Sequence, residues 1–473
     1  MHRNYRVVQS AAIAALAFIL AGCAVGPNYQ APALKSEAPA QWSVALPQDG
    51  SSASLVAWWS SFDDRALTQL ISLAMSKNPT LDQALARIKE ARATQRSSGA
   101  AVSGTASAGL TRGDTAGPVG TARTAGLDMS WELDLFGGQR RSIQAATARA
   151  DATEFDWHGA RVSLAAEVAS TYFSLRQAEA ALQLSKDDVV SRQQTRDLVA
   201  LQVTAGAQAP SALAQAEASL ADSVSTRTAQ DGSCILLRHQ LATLTATHLE
   251  ALRPILATGK GLPKVSTVGF TQLPAQVLAQ RSDVASAERS VAAASADIGV
   301  AISKFLPSVS LAGVINLNSS TTQNASSAVR TWSFGPSVTL PILEARQIAA
   351  GVDLARASYD EAYANWRSVV LTAVQEVEDA LARIDTSQRQ LDSAQRAVDQ
   401  YNAYFAATEV RYRAGAASLL ELEDARRQTL SAKQSLLSVK LEHANARVAL
   451  YKAAGGGWRA DTQTNSEHNE KHA

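Results

Sequence analysis

Cysteine is nearly absent: the 473 residues contain two, Cys23 and Cys234, too few for a disulfide framework. An excess of charge of one sign is missing as well. The 44 Lys and Arg nearly cancel the 43 Asp and Glu, which leaves no electrostatic footprint for a nucleic-acid partner. The seven histidines are scattered and none forms an HExxH; there is no GxSxG elbow. Gly137-Gly138 lacks the spacing of a phosphate loop and reads as a strand-to-helix turn. No catalytic, metal or cofactor site is therefore expected, and Cys234 reads as an inert small residue. Proline is absent after Pro341 and again from Gln139 to Ala209. Those two stretches are where the helices lie.

Beyond Pro341, apolar or small residues recur mostly three or four apart, as Trp366, Val370, Ala373, Val377, Leu381 and Ile384, on to Phe405 and Tyr412. This is a long amphipathic helix. Tyr412-Arg-Ala-Gly415 breaks it, and Leu419, Leu422, Leu430, Leu437 and Leu441 continue a weaker pattern, so the chain turns at Gly415 and runs back. A helix of about 65 residues would be roughly 100 Å long at ~1.5 Å per residue and needs a partner along its length.

The pattern occurs twice. Leu133-Asp-Leu-Phe136 aligns with Leu340-Pro-Ile-Leu343, Asn78-Pro-Thr-Leu81 with Arg281-Ser-Asp-Val284, and the first long helical run has its own break at Ala205-Gly206. A period of about 200 residues indicates duplication of half a protein rather than a solenoid. The expected domains are a first repeat over 58–254, with strands near 101–112 and 125–135 and a hairpin over 139–245. The second repeat covers 255–458, with a helix over 273–304, strands near 306–317 and 331–340 and a hairpin over 342–454. Residues 459–473 read as a disordered polar tail.

Residues 1–22 read as an export signal, with Arg3 and Arg6 before an apolar run too short to remain as a membrane helix. Leu20-Ala-Gly-Cys23 resembles the lipobox of bacterial lipoproteins, which implies cleavage before Cys23 and its acylation. In that class Ala24, rather than Asp, favours the outer membrane. An ordinary signal peptide with an incidental cysteine is the other reading. Residues 23–57 carry Pro27, Pro32, Pro39 and Pro47 and read as an extended segment lying over other structure. Asp63 or Asp64 is then the N-cap of a first helix, which Asn78-Pro79 ends.

Between the helices the period changes to two. Leu127, Met129, Trp131, Leu133 and Leu135 alternate with Asp128, Ser130, Glu132 and Asp134, giving one apolar face and one with three carboxylates. Gly113 to Arg123 and Asn318 to Arg330 read as polar loops. Strands of about ten residues are long enough to cross a bilayer at a tilt. Four cannot close a barrel, so a membrane-spanning form has to oligomerise, with Asp128, Glu132 and Asp134 lining a water-filled pore. A small soluble antiparallel sheet is the alternative.

Leu20-Ala-Gly-Cys23-Ala-Val-Gly-Pro-Asn-Tyr29, Trp58-Trp59, Phe62-Asp63, Asn78-Pro79, Glu167-Val168 with Tyr172-Phe173, Tyr412-Arg-Ala-Gly415 and Gly455-Gly-Gly-Trp458 occur in this order. Together with the Trp131 to Gly138 strand end, they resemble the outer-membrane efflux lipoproteins of the NodT type, relatives of TolC and OprM. The resemblance implies a mainly α chain with a transmembrane β-barrel contribution. Each subunit of a homotrimer gives four strands to one barrel and its long helices to a periplasmic α-barrel. It also implies a lipid anchor in the outer membrane and partnership with a periplasmic adaptor and an inner-membrane pump, the assembly exporting small molecules. The chain departs from the family pattern at Ser282, usually proline, at Gly104, where the second repeat has Pro307, and at Gly232-Ser-Cys234-Ile.

The same resemblance assigns a periplasmic gate. Glu421 and Asp424 share a helix face and match the family's acidic ring, where three copies would crowd their carboxylates and raise pKa values. Tyr412 matches a position that ties neighbouring hairpins shut, while Ala416 and Ala417 replace polar residues, implying a gate that opens more readily. The tips, with Gly206, Ala207, Gly415 and Ala416, match the adaptor contact. Solvated helix charges are the plainer reading of Glu421 and Asp424, and a non-pore outer-membrane-anchored coiled-coil or adaptor lipoprotein is the alternative function.

Overall fold

The computed structural model describes residues 24–34, 37, 39, 41–42, 58–113, 119–259, 261–262, 274–322 and 326–456. The export signal, Cys23, most of the proline-rich segment and the tail from 457 onward lie outside the described residues. A 3-10 turn over Trp58–Phe62 precedes α1 (Arg65–Lys77), α2 (Pro79–Ser98), β1 (Val102–Gly113), β2 (Gly120–Leu133), α3 (Gly138–Thr204), α4 (Pro210–Leu244) and α5 (Leu249–Ala257). The second half follows as α6 (Pro274–Ala279), α7 (Ser282–Ser303), β3 (Ser308–Thr321), β4 (Ser326–Thr339), α8 (Ala345–Arg413) and α9 (Leu419–Ala453). Apart from α5, each half has the same order: two helices, a strand pair, a long helix and its return.

The chain divides into two compact units. One comprises Met1–Pro32, Leu85–Phe155 and Ala285–Ser368 and contains the sheet, in order β1-β2-β3-β4 with every neighbour antiparallel. Val102 pairs with Trp131, Leu127 with Ile315, and Ile315 with Trp332, so strands from the two halves meet at β2 and β3. The strands run further into the expected loops than the apolar alternation does: β2 starts at Gly120, β3 continues to Thr321 and β4 starts at Ser326. Backbone pairing needs no apolar side chain, so Ser- and Thr-rich ends stay in the ladder after the hydrophobic pattern has stopped.

In the same unit, residues 24–29 are held by a specific set of bonds. Val25 N–H donates to the Phe136 carbonyl at 3.0 Å. Arg141, itself buried, donates to the Val25 carbonyl at 3.0 Å and to Asn28 Oδ1 at 2.9 Å. Tyr29 donates its hydroxyl to the Glu288 carboxylate, and burial together with that carboxylate pushes the phenol well above its usual range.

The other unit comprises Ala33–Ala84, Asp156–Val284 and Val369–Ala473. Its core centres on Trp58, Phe62, Leu67, Tyr172, Phe173 and Tyr451, with Trp58 stacked on Tyr451 at 4.2 Å between ring centroids. Asp64 caps α1 by accepting from Leu67 N–H at 3.1 Å and also accepts from the Tyr172 hydroxyl at 2.6 Å. Each half closes its second hairpin helix with a side chain from its own helix break. Asn78 Nδ2 donates to the Leu244 carbonyl at 2.8 Å, and Arg281 Nη1 donates to the Ala453 carbonyl at 2.9 Å.

That use of Arg281 corrects the expected single helix over 273–304. The helix stops at Ala279 and restarts at Ser282, and Arg281 between them is buried against Asp283 at 2.6 Å and Glu376 at 2.7 Å. No proline or glycine marks the break; it corresponds in position to Asn78-Pro79. Near 230–250, where the departure Gly232-Ser-Cys234-Ile falls, α4 runs unbroken to Leu244, with Cys234 wholly buried in its core face. α5, which the periodicity did not bring out, follows with Leu252 and Leu256 buried.

Candidate functional site

Across paired antiparallel strands, directly opposed residues share a face, and residues two apart along a strand do too. The register therefore sorts the whole sheet. One face carries Leu127, Met129, Trp131, Ile315, Trp332 and Phe334, each between 45% and 74% exposed. So much exposed apolar surface on one side of a sheet has no business in water. The opposite face has Asp128 beside Thr105 and Val314, and Glu132 beside Ser310, among Ser, Thr, Asn and Gly. β1 and β4 each pair on one side only, so the four strands present two open edges. Among the described residues no helix is long and apolar enough to cross a membrane.

Asp134 is not on the strand's polar face. It lies one residue beyond β2, and its carboxylate accepts from the backbone N–H groups of Gln139 at 3.0 Å and Arg140 at 2.9 Å, capping the start of α3. Unpaired amides at a helix start attract an acceptor, and a carboxylate four residues upstream reaches them through the Gly137 turn. Asp128 and Glu132 remain as the acidic pair of the polar face.

The two hairpin tips are built alike. At the first, Gly206 N–H donates to the Val203 carbonyl at 3.0 Å and Ala207 N–H to Gln202 at 2.8 Å; at the second, Gly415 donates to Tyr412 at 3.0 Å and Ala416 to Arg411 at 2.8 Å. Both are Schellman closures, and Gly206 (φ +70°) and Gly415 (φ +72°) occupy the left-handed position that favours glycine. Gly206, Ala207, Gly415 and Ala416 are all exposed. The return helices start differently, α4 with Pro210 in its first turn and α9 with a capping box between Ser418 and Glu421.

That box defines what Glu421 does within one chain. Its carboxylate accepts from Ser418 N–H at 2.7 Å and faces Arg411 at 3.7 Å; the Ser418 bonds, backbone first, hold its carboxyl below the usual range. Raised values are expected only where copies crowd together. Asp424, on the same exposed side, pairs with Arg427 and accepts from Gln428 at 2.5 Å.

Tyr412, assigned by the resemblance as a tie between neighbouring hairpins, lies between the two hairpins of its own chain. It is 4% exposed within a cluster of its own chain, with Val199, Ala216, Leu419 and Leu422, and so packs the two hairpins together. Its hydroxyl is buried without a partner among the described residues, and burial raises its pKa.

The polar link between the hairpins lies beneath that cluster and involves residues the sequence reading passed over. Arg192 on α3 donates to Asp188 at 2.8 Å and to Glu423 at 2.8 Å, and Ser219 on α4 donates to Glu423 at 3.0 Å. Arg426 pairs with Glu423 and donates to Thr195 at 2.8 Å and Ser191 at 3.1 Å. Two cations and two anions thus neutralise one another in a largely buried site, and burial lowers the Arg426 pKa. The spacings Asp188-Arg192 and Glu423-Arg426, four and three apart on helices, were the available signal.

The outer membrane efflux protein family matches residues 70–246 and 273–456, one segment in each half of the chain. The chain belongs to this family. This outer membrane efflux protein is 31% identical over 453 residues to nodulation protein T of Rhizobium leguminosarum bv. viciae, covering 95% of this chain and 94% of that one. It is 32% identical to the solvent efflux pump outer membrane protein SrpC of Pseudomonas putida, over 93% and 96% of the two chains. Among solved structures it is similar to the outer-membrane channel OprN, with TM-score 0.79 and 31% identity over 92% of this chain and 100% of that one. It is also similar to the open state of the MtrE outer membrane channel of Neisseria gonorrhoeae, with TM-score 0.75 and 28% identity over 93% and 100%.

Proposed function

We propose that this outer membrane efflux protein is the channel subunit of a tripartite export system. Three copies close one barrel from their four-stranded sheets, and small molecules delivered by an inner-membrane pump through a periplasmic adaptor leave through it passively. The observation that carries the reading is the two-faced sheet with open edges. Its apolar face suits lipid, its polar face suits a water-filled lumen, and unpaired edges in lipid would cost several kcal/mol per group, so copies must join edge to edge. An adaptor or purely structural lipoprotein has no use for such a sheet, and the relatives named above include efflux-pump outer membrane proteins. Acylation of Cys23, outside the described residues, anchors the chain in the outer membrane.

Asp128 and Glu132 line the lumen in this reading. Next to the second hairpin tip Glu421 and Asp424 face the axis and form an acidic constriction that favours cations, while Tyr412 and the Arg192–Glu423–Arg426 cluster hold each chain's hairpins as one body. The exposed turns at Gly206, Ala207, Gly415 and Ala416 receive the adaptor, their small side chains allowing close approach. The test is single-channel conductance of the purified, lipidated protein in a planar bilayer. A small cation-selective current that rises in the double variant Glu421→Ala, Asp424→Ala supports pore and constriction. A folded trimer that never conducts overturns the pore; a current unchanged by the substitutions overturns the constriction alone.

A further inference from the structure

The apolar face of the sheet ends in arginine. Arg330 lies one step nearer the hairpin loop than Trp332 on that face of β4, Arg123 lies two steps nearer it than Leu127 on β2, and Arg112 on β1 stands opposite Thr121. The register puts all three on the apolar side, all are exposed, and none has an ion-pair partner among the described residues. The only carboxylates in the four strands, Asp128 and Glu132, are on the opposite face. All three arginines sit toward the hairpin-loop ends of the strands, away from the ends that continue into α3 and α8.

Their positions are staggered. Arg330 is level with Ala125 of β2 through Leu317, and Arg112 is level with Thr121, an offset of four residues across the sheet. Strands about 4.8 Å apart and tilted by about 40° shift a level line by roughly one residue per strand, so the offset has the size that a single height in a membrane produces. Arg112 and Arg123 are diagonal neighbours, about 7–8 Å apart at Cα. Arg330 is two strands from Arg123, roughly 10 Å to the side.

We propose that Arg112, Arg123 and Arg330 form a binding rim for a phosphorylated glycolipid head group in the outward leaflet. The inference rests on the channel reading for the orientation of the sheet. Guanidinium groups bind phosphate bidentately, and at the edge of an apolar band they extend into the head-group layer while their stems stay in the hydrocarbon. A glycerophospholipid offers one phosphate and engages one arginine. A sugar head group bearing two phosphates bridges two strands of the rim at once, and the Ser- and Thr-rich strand ends above it suit the sugar hydroxyls.

The experiment places full-length protein in phosphatidylcholine nanodiscs doped with bisphosphorylated lipid A, dephosphorylated lipid A or phosphatidylglycerol, and counts the doped lipid retained per chain after detergent exchange. The wild type should retain bisphosphorylated lipid A at least tenfold better than either alternative. The triple variant Arg112→Gln, Arg123→Gln, Arg330→Gln should lose that preference, and the triple Lys variant should keep part of it. Equal retention by the Gln variant, or phosphatidylglycerol held as well as lipid A, overturns the proposal. If the triple variant does not fold, the comparison of the three lipids on unmutated protein decides. Conductance in pure phosphatidylcholine separates this inference from the channel reading: lipid A retained without current removes the pore and keeps the rim, and current without retention does the reverse.

Discussion

A side chain on Gly26 would run into Gly299: its Cβ would lie 2.5 Å from the Gly299 Cα, and Gly26 itself holds φ +90°. The converse also holds, since a Cβ on Gly299 would meet the Arg141 Cγ at 2.7 Å and the Val25 carbonyl oxygen at 2.9 Å. Two glycines thus let the segment next to Cys23 lie directly on α7. Gly299→Ala should cost about 1–3 kcal/mol by overpacking and release residues 24–29. Thermal unfolding and hydrogen exchange of that segment check this; unchanged protection at Val25 would refute it.

Arg426→Ala leaves Glu423 buried against one arginine instead of two and frees the Thr195 and Ser191 hydroxyls. Stability should fall by about 3–5 kcal/mol, the usual cost of removing one partner from a buried ionic site. Denaturant unfolding measures it. A coupling energy near zero between Arg192→Ala and Glu423→Ala in a double-mutant cycle would show that the cluster is not an energetic unit.

Ser418→Ala removes the side-chain half of the α9 capping box and should cost about 1 kcal/mol, read as faster amide exchange at Glu421 and Leu422. Because the Glu421 carboxyl is held below its ordinary value of 4.5, its contribution is fully present above that value and disappears as pH falls through the lower folded one. Amide protection of the first turn of α9 should drop on acidification below about pH 4.5, and Glu421→Gln should abolish the pH response.

His443 is buried between α8 and α9, with Nδ1 2.9 Å from the Ser387 hydroxyl and Nε2 accepting from Arg447 Nε at 3.0 Å. Burial first, and then the Arg447 charge, lower its pKa from 6.5 to about 4. The folded protein therefore resists a proton that the unfolded chain accepts, so stability is full above pH 6.5 and declines as pH is lowered toward 4. Unfolding midpoints measured across that range should show the decline in wild type and a shallower one in His443→Gln.

The long helices, their glycine turns, the strand pairs and the duplication were legible because each rests on local periodicity or on backbone demands of single residues. Two strand pairs of bilayer length and two proline-free runs closed by glycine also carried the resemblance to a family. The break at Arg281 was hidden because no helix-breaking residue causes it; the turn is fixed by Asp283, Glu376 and the Ala453 carbonyl, the last two far away in sequence. Asp134 read as a strand carboxylate because alternation continues one step past the point where backbone pairing stops.

By itself, then, the sequence determined the elements and the two-faced character of the strands, since alternation, helical period and turn chemistry act over a few residues. Only the tertiary structure decided which charges face one another. Neighbouring positions on α9 divide between a solvent-facing side, for Glu421 and the half-buried Asp424, and a largely buried site, for Glu423 and Arg426. The difference comes from the packing of α3 and α4 against that helix. Likewise, the register that brings Arg112, Arg123 and Arg330 to one rim follows from pairing between strands about 200 residues apart, which no local pattern encodes.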